Sequence, residues 1–156
     1  MLVSLLSILA VAAALALWGI AVYNNLIRLR NMKEEAWSGI DVQLKRRSDL
    51  IPNLLESVKG YMGHERGVLE QVTNLRAQSM NASTVGDKIA AESALTRSLG
   101  ALFAVAENYP ELKANQNFLD LQAQLAQLEN EIQMARRYYN GTVRNLNVGI
   151  ETFPNS

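Results

Sequence analysis

His64 is followed directly by Glu65 in the stretch YMGHERG, and an adjacent imidazole and carboxylate can in principle exchange protons. The surrounding residues do not extend that pair into a site. A zinc hydrolase places two histidines four apart on a helix as HExxH, which is absent here. A di-iron bundle needs Glu-x-x-His from each of two helices. Tyr61 stands where that glutamate belongs, and the chain has one histidine. There is no cysteine, which excludes disulfides, thiol catalysis and thiolate metal sites. Neither G-x-S-x-G nor a phosphate-binding glycine loop occurs. His64 is therefore expected to be a surface or helix-packing residue. No catalytic, cofactor-binding or metal-ligating residue is assigned, and the chain reads as a non-enzyme.

The segment KRRSD, residues 45–49, is more informative. Arg47 falls on an apolar seam and is flanked by Asp41 and Asp49. A charge there is costly unless paired. The simpler reading is snorkelling, with the stem packed and the guanidinium in water. The alternative is an ion pair that fixes register within a bundle or between subunits. Trp37, Asp41, Arg46, Arg47, Asp49, Pro52 and Tyr61 are the candidate assembly or register residues.

The elements that carry these residues follow from periodicity. Steps of three and four link Trp37, Ile40, Leu44, Arg47, Ile51, Leu54, Val58, Tyr61, Glu65, Val68, Val72 and Leu75, and all but Arg47 and Glu65 are apolar or aromatic. Pro52 interrupts the run chemically but not in phase. A proline inside a helix costs about 3 kcal/mol, yet a bend preserves phase where a loop resets it. The spacing predicts one kinked helix running to about residue 78. The alternative is two helices, with Ser48 or Asp49 capping the second and Pro52 in its first turn. Thr84 or Asp87 can cap a following helix over about 87–107, carrying Leu95, Leu99, Leu102, Phe103 and Ala106. Pro110 fits a first helical position. A last helix repeats apolar residues from Phe118 through Leu121, Leu125, Leu128, Ile132, Ala135, Tyr139, Val143, Leu146 and Ile150 to Phe153, with Pro154 closing it.

Upstream, nothing charged appears in the first 27 residues apart from the α-amino group. Such a helix is about 40 Å long, and residues 2–23 satisfy the roughly 20 apolar residues that a bilayer core requires. Trp18 and Tyr23 suit the headgroup zone, and Arg28, Arg30 and Lys33 follow them. These cations can set topology and touch anionic headgroups. A secretory signal peptide would have a basic start and a shorter core, so a retained anchor is the reading preferred. Small residues at Ala12 and Ala16, and at Ala10 and Ala14, permit close contact between spans.

The expected fold is all-α: a transmembrane helix continuing into an elongated antiparallel bundle of three to four long helices. Residues 1–24 form the anchor and 25–156 the bundle domain. Lysine plus arginine equals aspartate plus glutamate at 15 each, which argues against a nucleic-acid partner. The positive-inside bias places the bundle in the cytoplasm. Long seams favour homo-oligomers. Membrane lipids are expected partners, and another membrane protein is a further candidate.

Two blocks carry a family resemblance. YNNLIRLRNMKEEAWSGIDVQLKRRSDLIPNLLESVKGYMGHE resembles the N-terminal block of the LemA family, and LFAVAENYPELKANQNFLDLQAQLAQLENEIQMARRYYNGTVRNLNVGIETFPNS resembles its C-terminal block. The resemblance implies a bacterial, membrane-anchored helical protein of the inner membrane with its soluble domain in the cytoplasm. It supplies no catalytic residues. One branch of the family is associated with magnetosome membranes, which implies organisation or remodelling of the membrane. The function expected is thus a self-assembling membrane scaffold, with a tethered adaptor for a membrane protease or envelope-stress protein as the alternative.

Overall fold

A computed structural model describes residues 2–152. Phe153 and Pro154, expected to end the last stripe, lie outside the described residues. The described chain is all-helical, with no strand: α1 (Leu2–Lys59), α2 (Arg66–Asn81), α3 (Val85–Ala106), the single turn α4 (Pro110–Lys113) and α5 (Gln116–Glu151). It divides into two compact units. One comprises residues 1–40 and 133–156, the other residues 41–132.

Pro52 lies inside α1 and does not divide it. The two-helix alternative therefore fails, and the reason is visible in the bonding. Proline at position 52 has no N–H to give the carbonyl four residues back, that of Ser48. The Arg76 guanidinium from α2 takes the vacated place, its Nε donating to the Ser48 oxygen at 2.7 Å. The helix thus continues through a missing bond because another helix supplies the donor.

The continuation to residue 78 is not observed. Helix α1 stops at Lys59, and residues 60–65 form turns before α2 begins. Gly60 and Gly63 each disfavour helix by about 1 kcal/mol relative to alanine. The chain closes α1 with the Met62 N–H on the Val58 carbonyl at 2.9 Å, and the Glu65 N–H then bonds the Met62 carbonyl at 3.0 Å. The turn changes which side chain reaches the core. Met62 is fully buried, whereas Tyr61, the seam residue by spacing, is exposed. The phase nevertheless returns in α2, where Val72 is buried.

In the unit formed by residues 41–132, Ile51, Leu54 and Val58 of α1 pack with Val72 of α2, Leu95, Leu99 and Leu102 of α3, Leu112 of α4, and Phe118, Leu121 and Leu125 of α5. Phe103 meets Phe118 edge-on, with ring centroids 6.2 Å apart. Thr84 caps α3, its hydroxyl accepting the Asp87 N–H at 3.0 Å. Pro110 opens α4, as its fixed φ favours.

In the other unit, α1 and α5 run antiparallel. Trp37 stacks at a tilt on Tyr139, centroids 5.5 Å apart. Farther toward the N-terminus of α1, Leu26 and Leu29 lie against Gly149, where an added Cβ would stand 2.8 Å from a Leu29 methyl. The α5 stripe accordingly shifts by one position at its end: Gly149 faces α1, and Ile150, expected on the seam, is half exposed.

The Pro52–Arg76 relation is testable in the full chain held in mild detergent. Arg76→Met, which keeps the apolar stem, leaves the Ser48 carbonyl without its donor and is expected to lower unfolding stability by about 1–3 kcal/mol. In a Pro52→Ala background the loss shrinks, because residue 52 then carries the N–H that α1 lacks. Equal losses in both backgrounds, read from urea unfolding curves, would contradict the relation.

Candidate functional site

Arg47 projects from the seam of α1 and is 1 % exposed. Its guanidinium is therefore inside the protein, not at its surface, and the snorkelling reading is overturned. One terminal nitrogen donates to Thr96 Oγ1 and to Glu129 Oε2, both at 2.6 Å. The other donates to the Glu92 backbone carbonyl at 3.2 Å and to Glu92 Oε2. Four of the five guanidinium N–H groups are thus engaged. The fifth, on Nε, finds no acceptor among the described residues. Glu92 is 2 % exposed, and its second oxygen accepts from the Ser79 hydroxyl.

The partners come from different helices: Ser79 from α2, Glu92 and Thr96 from α3, Glu129 from α5. One guanidinium consequently joins α1 directly to α3 and α5, and through Glu92 to α2. Apolar contacts tolerate sliding, because one methyl resembles the next. A fork of directed donors does not. The network can fix the register of four helices, which is the role that polar seam residues play in coiled coils.

The other candidates have partners of their own. Asp41 does not pair with Arg47. It accepts an ion pair from Lys88 of α3. Arg46 reaches Glu131 of α5 at 3.3 Å and Gln43 at 3.0 Å. Asp49 is exposed and lines a surface groove with Arg46, Leu50 and Glu131. Tyr61 accepts a bond from Asn115 Nδ2 at 3.3 Å. Pro52 acts through Arg76, as described. Trp37 belongs to the pairing with Tyr139 in the other unit. Sequence reasoning missed Glu92, Thr96, Glu129, Ser79 and Arg76. The available signal was Glu92 itself, a carboxylate three residues before Leu95 on the apolar face of α3.

A groove of about 320 Å³ opens beside the network, lined by Leu99, Gly100 and Phe103 of α3 and Gln122, Leu125 and Ala126 of α5. Its polar rim is Arg47, Thr96 and Glu129. Those groups already bond one another. His64 is exposed, and no cluster of three or more metal-ligating side chains occurs among the described residues.

The remaining candidates, Trp18, Tyr23, Arg28, Arg30 and Lys33, lie on the N-terminal part of α1. Residues 2–21 are all exposed, and this part of the helix is long and apolar enough to cross a membrane. Helix α3 is also long and apolar enough to cross a membrane, but it is partly buried and carries the paired Glu92. Arg28 bonds Asn25 at 2.8 Å, and Arg30 pairs with Glu34 at 3.0 Å.

An all-helical chain with a buried, hydrogen-bonded arginine head and a long apolar N-terminal helix is the class of protein the described residues define. Residues 36–156 match the LemA family, and the chain belongs to that family. It is 31% identical to protein LemA of Metamycoplasma hominis, over 83% of this chain and 60% of the relative. It is 22% identical to the magnetosome protein MamQ 2 of Paramagnetospirillum magneticum, over 99% of this chain and 65% of the relative. A MamQ of Magnetospirillum gryphiswaldense is 21% identical, over 85% and 58%. The chain spans about three-fifths of the length of these curated relatives.

Two outcomes are expected. Arg47→Met strands Glu92 as an unpaired buried carboxylate and should cost about 3–5 kcal/mol in urea unfolding, whereas Arg47→Met combined with Glu92→Met should recover most of that loss. Additive losses would contradict a mutual pair. The second outcome concerns Tyr109, whose hydroxyl lies 3.4 Å from Glu65. Burial, reinforced by the Glu65 carboxylate, raises its phenol above the ordinary value near 10. The stabilising contribution is therefore complete below that ordinary value and is lost as pH rises through the folded one. Spectroscopic titration against Tyr109→Phe should show the raised midpoint, and Glu65→Gln should lower it. An unchanged midpoint would remove Glu65 as a cause.

Proposed function

We propose that the protein is a non-enzymatic, membrane-anchored helical scaffold that self-assembles and so organises or remodels the membrane. The observation that carries this reading is the continuity of α1. Residues 2–21 are exposed, uncharged and mostly apolar, and the same helix goes on to supply Arg47 to the buried network. An apolar helix of that length is stable when its side chains face lipid, since its backbone bonds are satisfied internally. Arg28, Arg30 and Lys33 follow the apolar run directly, a pattern that favours a cytoplasmic location for the rest of the chain, at the bacterial inner membrane.

Self-assembly draws support from α5. Met134 and Tyr138, one helical step of four apart, are each more than half exposed and form a strip of apolar surface away from the α1 seam. Aromatic anchors of this kind dominate association where they find a partner surface. The name of the MamQ relatives links them to magnetosomes, which agrees with a role at a membrane.

The test is the mass of the full chain in lipid nanodiscs and mild detergent over a wide range of protein concentration. Multiples of the monomer mass are expected, and Tyr138→Arg should raise the concentration needed for half-assembly about tenfold. Monomers throughout would overturn the scaffold. Monomers joined in fixed ratio to one foreign membrane protein would favour the adaptor instead.

A further inference from the structure

We infer that the C-terminal end of α5 is a second membrane contact, an interfacial site for anionic phospholipid formed jointly with the segment of α1 that follows the apolar run. The inference rests on the anchoring of α1 described above, and goes beyond it by assigning a lipid-binding role to residues more than a hundred positions away in the chain.

The pairing register carries the argument. Trp37 meets Tyr139, and Leu29 meets Gly149, so residues of the two helices stand at one level when their numbers add to about 177. Ile150 therefore lies level with Ile27, Val148 with Leu29, and Arg144 with Lys33. Ile27 is about 6 Å beyond Tyr23, and Lys33 about 15 Å, at 1.5 Å per residue. The polar headgroup layer outside the hydrocarbon core is about 5–7 Å deep on each side. The end of α5 is thus brought to the depth of that layer, with Arg28 at its outer margin and Arg30, Lys33 and Arg144 beyond it on the aqueous side.

The side chains at that depth suit such an interface. Ile27, Val148 and Ile150 are 37%, 50% and 50% exposed, apolar surface that neither α1 nor α5 covers. Behind them stand Arg28, Arg30, Lys33 and Arg144, all but Lys33 exposed. Glu151 lies at the same end, and Glu34 is already paired with Arg30. Glu35 adjoins Glu34, so four cations against three anions leave +1. Over the whole unit of residues 1–40 and 133–156 there are six Lys and Arg against three Glu, a net +3, while residues 41–132 carry nine against twelve, a net −3. A chain that is neutral overall has concentrated its positive charge in the unit that contains the apolar helix. Apolar residues at headgroup depth with cations behind them match an anionic bilayer surface.

The absence of native cysteine makes the test clean. Single substitutions Leu9→Cys, Ile150→Cys and Ser38→Cys are labelled with an environment-sensitive fluorophore in the full chain, reconstituted in vesicles of phosphatidylcholine with or without phosphatidylglycerol. Lipid-borne nitroxide should quench the labels at positions 9 and 150 but not at 38, and iodide the reverse. Arg144→Glu should reduce the anionic-lipid preference of the position-150 signal at least about fivefold, and Arg144→Lys should retain it. Quenching by lipid at 9 but not at 150 would overturn this inference alone. Loss of lipid quenching at both would overturn the anchor as well. A position-150 label shielded from iodide yet untouched by lipid would assign that surface to a second copy or another protein, and so contradict a lipid site.

Discussion

A guanidinium cannot be taken out of water without being matched, and four helices converge to match that of Arg47. Its stem shares the α1 seam with Leu44 and Ile51, so apolar packing commits its head to the interior. Once there, it requires carboxylates and hydroxyls at fixed positions. Glu92, Thr96 and Glu129 meet that requirement from α3 and α5, and Ser79 from α2 completes the coordination of Glu92. Hydrophobic burial supplies the larger share of stability, but it is non-directional. The directed bonds around Arg47 tie α1 to fixed positions on α3 and α5.

A second exchange of backbone bonds depends on the same helices. Pro52 withdraws a donor from α1, and Arg76 replaces it at Ser48, one residue from Arg47. Two arginines thus act on the same turn of α1 for different reasons. One neutralises carboxylates and the other satisfies a peptide carbonyl. The Arg76 bond satisfies the carbonyl that Pro52 leaves open as α1 runs on to Lys59, and the proposed role at the membrane requires that continuity.

The helices themselves were legible in the sequence wherever apolar residues recurred in phase with a helix. Ile40, Leu44, Ile51, Leu54 and Val58 are buried as their spacing requires, and so are Leu95, Leu99 and Leu102. The capping by Thr84 and the start of α4 at Pro110 were legible for the same local reasons. Phase was misleading at residues 60–65, where the spacing resumes in α2 as though no turn intervened. The two glycines outweigh the pattern there, and Met62 enters the core in place of Tyr61. The partners of Arg47 were not legible, because nearness in the chain pointed to Asp41 and Asp49. Carboxylates from α3 and α5, 45 and 82 positions away, are brought to it only by tertiary packing. The shift from Ile150 to Gly149 is of the same kind, being set by how closely Leu29 approaches.

The central claim is that the Arg47 head is enclosed and held by four bonds. Side-chain nitrogen–proton NMR of the full chain in mild detergent, with the signal assigned by its loss in Arg47→Lys, measures this directly. The account predicts resolved terminal N–H resonances for Arg47, with slow rotation about the guanidinium bonds and slow exchange with water. Rapidly averaging, rapidly exchanging resonances like those of a surface arginine would contradict it.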